Sequence, residues 1–388
     1  MTTTATHHPR TDPVRDRPRG TPHGAASIAL AINLAVTLML TILAGPAAAA
    51  GNEPAGSGMT GDGAVRAVVF MYHRFGESEY PATSIRLAQF DAQLAWLRRE
   101  GFHVWPLSRI VEHLIAGKPI PDRTVALTVD DAYLSVYQEA FPRLRRYGWP
   151  FTVFVSTDAV DEGLPAYMSW EQMREMRRDG ASYANHSASH DHLLERRAGE
   201  TDAQWRTRVS ADIARAQTRL REELGTEARL FAYPYGEFDP ELADLVAGLG
   251  FTAFGQESGA IGPYADRRAL PRYPMSESFA GLEDFATKAV SLPLPVAAVH
   301  PWDPVVTAGP APRMEIRLAD SDAVLDELAC YGLGQEVMEI QWIDRARRRF
   351  AVQGSNPLPP GRSRYNCTAP SAASGRYYWF SHPWFRQP

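Results

Sequence analysis

Cysteine is scarce. Cys330 and Cys367 are the only two in 388 residues, and neither sits in a CxxC or other zinc-ligand spacing, which excludes a zinc ribbon or a dithiol redox motif. Basic excess is also missing. Lys and Arg number 40 against 45 Asp and Glu, a formal net charge of -5, so there is no electrostatic footprint for nucleic acid and none is expected as a partner. No internal repeat appears at solenoid or propeller periods. What is present, 45% hydrophobic and 22% charged residues, is ordinary globular composition, in a chain long enough for two domains or for one barrel-sized domain with a small addition.

Long apolar runs are confined to the N-terminus. Arg10, Arg15, Arg17 and Arg19 outnumber Asp12 and Asp16 ahead of an uncharged apolar stretch at residues 25–43, followed by Pro46 and the small residues 47–50. A net-positive start, an apolar middle and an A-x-A-like end predict an export signal over residues 1–50, cleaved near Ala50. The other reading is an uncleaved membrane anchor, since the run is roughly long enough to span a bilayer. Either way the chain is exported, periplasmic or secreted, and touches a membrane only if the segment is retained. The Gly-rich residues 51–65 read as a linker. Outside the cytoplasm Cys330 and Cys367 are expected to pair as one disulfide; the alternative is two unrelated buried thiols.

Beyond the linker, short apolar runs at 67–72, 125–129, 151–155, 230–233, 251–254 and 296–299 alternate with helical periodicity. Leu87, Phe90, Leu94 and Leu97 mark one helix; Ser169 with Gln172 forms a capping-box pattern opening another; Asp239 followed by Pro240 starts a third. This alternation predicts parallel strands with helices outside. Because polar residues gather at the strand ends, we read an α/β fold of the distorted (β/α) barrel type, with about seven strands, over residues 66–303. Alternating segments at 314–318, 337–343, 350–353 and 377–380 predict a small C-terminal antiparallel β domain over 304–388. Its aromatic tail, 376–385, is read first as that unit's own core and second as a sugar-stacking surface.

Chemistry-bearing residues sit at those strand ends. Asp130 and Asp131 directly follow the run at 125–129; His186 and His190 lie four apart, as on one face of a helical turn; His73 follows 67–72; Tyr233, Pro234 and Tyr235 form a turn before Gly236. Each has a bland alternative in a loop, a surface pair or a structural histidine. Together they are more specific, because a barrel brings its strand ends to one rim. His192 is read as a bystander.

In this combination the chain resembles the polysaccharide deacetylase family, the NodB-homology type of carbohydrate esterase family 4. Its Thr-Phe-Asp-Asp motif is similar to Thr128-Val129-Asp130-Asp131, its His-Ser/Thr-x-x-His motif to His186-Ser187-Ala188-Ser189-His190, and its Pro-Tyr turn to Pro234-Tyr235-Gly236. Two features depart from the family pattern. Phe231-Ala232-Tyr233 stands where an arginine normally precedes the proline, and no C-terminal Leu-x-x-His motif is evident. The exopolysaccharide and biofilm poly-N-acetylglucosamine deacetylases take that histidine from an N-terminal Tyr-His instead, which Tyr72-His73 matches; His300 is a rival for the same role.

The resemblance implies metal-dependent removal of N-acetyl groups from an amino-sugar polysaccharide, poly-N-acetylglucosamine or chitin-like. It implies one divalent metal on Asp131, His186 and His190, with zinc as the default and nickel, cobalt or iron as alternatives. Asp130 is then the general base and His73 the general acid. Tyr233, Pro234 and Tyr235 shape the substrate pocket, Tyr235 lending a backbone N–H to the developing oxyanion. The alternatives are an O-acetyl or peptidoglycan deacetylase of the same chemistry, or a catalytically silent carbohydrate-binding barrel. A glycosidase is disfavoured, since adjacent aspartates do not provide the roughly 5–10 Å carboxylate spacing it needs.

Overall fold

A computed structural model of the protein describes residues 64–387. The expected signal and nearly all of the expected linker lie outside the described residues. Among the described residues, no helix is long and apolar enough to cross a membrane.

Strand Ala67–Tyr72 is buried at every position. Such a run, apolar on both faces, is what a parallel strand covered on both sides requires. It sits within a path of seven strands ordered Ala260–Ile261, Ala67–Tyr72, Thr124–Asp130, Phe151–Val155, Ala181–Asn185, Leu230–Ala232 and Thr252–Phe254, curled into a half-barrel. Only Ala260–Ile261 runs antiparallel to its neighbour. Short strands His103–Val104 and Tyr273–Pro274 pair alongside Thr124–Asp130 and Ala67–Tyr72.

Strand periodicity decides which side chains meet inside the curl. Val68, Phe70, Tyr72, Val125, Leu127, Val129, Phe151, Val153 and Val155 pack in one cluster together with helix residues Phe90, Leu94 and Leu97. Their alternates Val69, Ala126, Phe154, Ala184, Ala232 and Phe254 fill the other cluster. Burying one such large apolar side chain contributes roughly 1.5–3 kcal/mol. Thr128 and Asp130 share the parity of Ala126, so the same alternation that buries Val129 toward the helices turns Asp130 into the barrel.

Sequence patterning locates the helices well. Leu87–Arg99 buries Phe90, Leu94 and Leu97; Trp170–Arg178 opens on the Ser169–Gln172 capping box; Pro240–Gly248 is capped by Asp239, whose side chain accepts from the Leu242 N–H. Strand Ala181–Asn185 escapes the pattern because Ala-Ser-Tyr-Ala-Asn has no apolar alternation. Its neighbours create it, with register from Phe151↔Ala181 to Val155↔Asn185 and a 2.9 Å hydroxyl contact between Thr152 and Ser182.

The run at 296–299 needs correction. Val296–His300 pairs antiparallel with Arg313–Leu318 and forms an edge of a four-stranded sheet, apart from the parallel sheet. Exposed and half-buried positions along it suit an edge and not a barrel strand. A second, six-stranded sheet centres on the hairpin Gly361–Pro370 and Tyr377–Arg386. Trp384 is fully buried within this region's core, while Phe385 reaches Phe238 with ring centroids 5.8 Å apart. Much of the aromatic tail is therefore packing.

Cys330 and Cys367 face each other across adjacent strands and form a disulfide. Closing a 37-residue separation is worth up to about 4 kcal/mol through the unfolded chain. Replacing both cysteines by Ala is expected to lower stability by about 2–4 kcal/mol in denaturant titration, without changing the far-UV circular dichroism of the folded protein.

Candidate metal and catalytic site

Asp131 lies just past the end of strand Thr124–Asp130, and its backbone enters the left-handed region at φ 73°, followed by Ala132 at 63°. That reversal separates two adjacent carboxylates. Asp130 points into the barrel and Asp131 toward the rim. Five of the eight non-glycine residues with positive φ among the described residues, Asp131, Ala132, Ser187, His190 and Tyr235, cluster here. Such conformations cost of order 1–3 kcal/mol each and persist where surrounding bonds over-determine them.

Those bonds are visible in the histidine segment. It is not helical: residues 186–190 form an irregular loop after Ala181–Asn185, with Ser187 at φ 64° and His190 at 57°. The Asn185 side chain donates to the Ile213 carbonyl at 2.9 Å and accepts from the Ser187 N–H at 2.9 Å. Asp212, on helix Asp202–Leu224, accepts from the N–H groups of Ala188 and Ser189 at 3.0 and 3.2 Å. The loop thus brings the two imidazoles together with ring centroids 4.9 Å apart.

Asp131, His186 and His190 each offer one ligand atom, all within 4.8 Å of one another. Asp131 Oδ1 is 3.2 Å from His186 Nε2 and 3.1 Å from His190 Nε2, yet it is buried without a hydrogen-bond partner. Burial pushes the Asp131 carboxyl up, and the two histidines hold it well below the usual carboxylate range. His186 Nδ1 is 2.8 Å from the Ala232 carbonyl. The carbonyl can only accept, so Nδ1 carries the proton and the Nε2 lone pair is left facing the cluster. An orphaned carboxylate oxygen beside imidazole lone pairs is the donor set of a divalent cation with positions left open.

Beneath this cluster, Asp130 is completely enclosed. Both of its oxygens accept from Arg272, Nη1 at 2.7 Å and Nη2 at 2.8 Å, and Arg272 is itself fully buried. Burial raises the Asp130 pKa, but Arg272 together with His186 and His73 outweighs it and the carboxyl sits below its ordinary value. Sequence reading missed Arg272. It stands in Leu270-Pro271-Arg272-Tyr273-Pro274, far from the Pro-Tyr turn, and reaches the site because Tyr273–Pro274 pairs with Phe70 and Met71. An arginine within an otherwise apolar strand-like run is the one signal that marked it.

His73 Nε2 lies 4.0 Å from Asp130 Oδ2. Burial lowers its pKa against the opposing pull of Asp131 and Asp130. His300 is exposed at the end of its edge strand and is not among the residues lining the cavity over the cluster. That cavity, of about 730 Å³, is lined by His73, Asp131, Tyr133, Tyr167, His190 and Tyr235 on the half-barrel side.

Of the Tyr233-Pro234-Tyr235 turn, only Tyr235 reaches the cavity. Tyr233 is buried, its hydroxyl donating to the Arg268 carbonyl at 2.8 Å, and Pro234 is buried as well. Parity is again the cause: Phe231 and Tyr233 share the outward face of their strand. Tyr235 is clamped by His192, which stacks on it at 3.8 Å and is 2.8 Å from Glu237. His192, read from the sequence as a bystander, thus packs directly against Tyr235. Gly236 is required where it stands, since a Cβ there would lie 2.6 Å from the Gln256 side chain.

Residues 117–254 match the family described as polysaccharide deacetylase. The chain carries a polysaccharide deacetylase domain. The chain is 25% identical over 244 residues to the poly-beta-1,6-N-acetyl-D-glucosamine N-deacetylase of Escherichia coli K12, covering 54% of this chain and 36% of that protein. It is 24% identical over 215 residues to the enzyme of that name from Staphylococcus aureus MRSA252, covering 54% and 73%. The chain thus spans about a third of the length of the E. coli relative. Among solved structures, IcaB from Ammonifex degensii superposes with a TM-score of 0.51 at 29% identity, covering 60% of this chain and 98% of that one. The deacetylase PplD of Streptococcus pyogenes, at 21% identity and TM-score 0.53, covers 58% and 99% and shares the fold. The family match includes Asp130, Asp131, His186, His190 and Tyr235, while His73 and Arg272 fall outside it.

Two outcomes follow from the site's electrostatics. Arg272→Met leaves a buried carboxylate unpaired and is expected to cost about 3–5 kcal/mol in denaturant melts, with Arg272→Met/Asp130→Leu recovering much of that loss. Glu257, also at the cavity, is buried with Oε2 unpartnered, and burial pushes its carboxyl up to about 8 from 4.5. The folded state keeps this proton while the unfolded chain releases it, so its contribution is complete below 4.5 and is lost as pH rises toward 8. Thermal melts across that window should show Glu257→Gln losing less stability than the parent protein.

Proposed function

We propose that this chain is an exported, metal-dependent deacetylase that hydrolyses N-acetyl groups on an amino-sugar polysaccharide of the poly-N-acetylglucosamine or chitin type. The observation that carries the reading is the Asp131, His186 and His190 cluster beside an arginine-held Asp130 and His73. The relatives named as N-deacetylases support the bond type. The disulfide supports export, since such bonds persist in oxidising compartments.

One divalent cation on Asp131, His186 and His190, zinc by default, would acidify the attacking water and polarise the acetyl oxygen. The remaining work belongs to the chain. Asp130, kept ionised by Arg272, accepts the proton of the water that attacks the acetyl carbon. His73, which reaches the cavity, gives a proton to the nitrogen as the C–N bond breaks, releasing acetate and a free amine. Tyr235 forms the wall against which the acetyl group is placed, and its backbone N–H is the candidate donor to the developing oxyanion.

Acetate release from N-acetylglucosamine oligomers, with and without chelator, tests this directly. Activity should vanish with chelator and return on adding a divalent metal. Asp131→Asn is expected to lose metal, by elemental analysis, together with activity. Asp130→Asn should keep the metal and lose roughly two to four orders of magnitude in rate. His73→Gln should lose activity with metal retained, whereas His300→Gln should not. Unimpaired hydrolysis by metal-free protein would refute the proposal.

A further inference from the structure

The far wall of the catalytic cavity comes from the C-terminal region. Strand Gly361–Pro370 buries Tyr365, Cys367 and Ala369 in that region's core. Strand alternation turns Arg362, Arg364 and Asn366 the other way, and all three line the cavity over the metal cluster. The strand is firmly registered by Arg362↔Phe385 and Arg364↔Pro383 on one side and by the disulfide partner Cys330 on the other.

Neither arginine has a carboxylate partner among the described residues. Arg362 donates to the Tyr235 carbonyl and, at 3.4 Å, to Gln256 Oε1. Arg364 has only the Phe279 ring, 5.6 Å from its centroid, and burial without a counter-ion holds its guanidinium below the ordinary arginine value. Some arginines elsewhere meet carboxylates, as Arg143 does Asp91 and Glu139, and Arg219 does Asp161, Glu222 and Glu223, while others such as Arg109 and Arg229 lie over aromatic rings; what sets Arg362 and Arg364 apart is that they line the cavity. Of the carboxyls lining the cavity, Asp131 belongs to the histidine cluster and Glu257 is buried in the wall. Two guanidinium forks therefore face the substrate space with no acid of the protein's own to meet. A guanidinium gains most from a planar oxyanion that it can grip with two N–H groups.

We propose that Arg364, assisted by Arg362, selects a polymer carrying oxyanions, a carboxylate or phosphate substituent on a sugar close to the one that loses its acetyl group. This rests on the deacetylase reading for the bond that is broken, and it replaces the neutral polymer proposed above with an anionic amino-sugar polymer. A neutral homopolymer would leave both cations unmatched, and the amine uncovered by reaction, once protonated, would be repelled by them.

The test uses the full chain and three oligomers of equal length: a neutral N-acetylglucosamine oligomer, one with lactyl carboxylates on alternate sugars, and one bearing phosphate esters. Binding is measured by calorimetry at low and high salt, and acetate release alongside. The expected result is that one of the anionic oligomers binds roughly tenfold or more tighter than the neutral one, with the preference shrinking in salt. Which of the two it is separates carboxylate from phosphate. Arg364→Gln should cut that preference roughly tenfold, with the kinetic loss falling in KM more than in kcat, and Arg364→Lys should restore part of it. Arg362→Gln serves as a second probe should Arg364→Gln fold poorly. Equal affinity for all three oligomers, or a preference untouched by both Gln variants, overturns the proposal. Selective binding with no acetate released from any oligomer would uphold it and sink the deacetylase reading instead.

Discussion

The buried pair between Arg272 and Asp130 is the interaction on which the rest of the site depends. It joins residues 142 apart, both side chains fully buried from bulk solvent, where either charge alone would cost several kcal/mol. Thr128 strengthens the arrangement, its hydroxyl donating to the Phe70 carbonyl at 2.7 Å and lying 3.3 Å from Arg272 Nη1. A fixed negative charge is thereby maintained under the Asp131 cluster and within 4.0 Å of His73. A carboxylate paired in this way keeps its charge whatever binds in the cavity above it.

Around that pair, strands fix what lies inside and loops fix what lies at the rim. Parity buries Asp130 and withdraws Tyr233. Left-handed backbone at Asp131, His190 and Tyr235 then brings side chains from three different strand ends to one cavity. The strain of those conformations is met by local bonds from Asn185, Asp212 and Ser187, so the rim is pre-organised. The C-terminal sheets add the opposite wall, with Arg362 bonded to the carbonyl of Tyr235. The half-barrel and the β region therefore share one cavity, each supplying a different kind of chemistry.

Legibility in the sequence followed the physics. Strands buried on both faces, such as Ala67–Tyr72 and Phe151–Val155, announce themselves as unbroken apolar runs, and helices do so by capping residues and spacing. Ala181–Asn185 did not, because a strand made of small and polar residues exists only through its neighbours. Val296–His300 misled for the opposite reason. Its apolar run suits a barrel strand or an antiparallel edge equally, and pairing partners settle which. The histidine pair was found by spacing, although the helical turn assumed for it is a loop.

The sequence alone picked out the candidate residues, two aspartates after a strand, two histidines four apart and a third after the first strand, since side-chain chemistry and short-range spacing are local properties. Only tertiary structure decided that Arg272 pairs with Asp130, that Tyr235 and not Tyr233 meets the cavity, and that Arg362 and Arg364 face it from another sheet. These facts depend on strand register and on contacts between residues more than a hundred positions apart, and no local pattern encodes either.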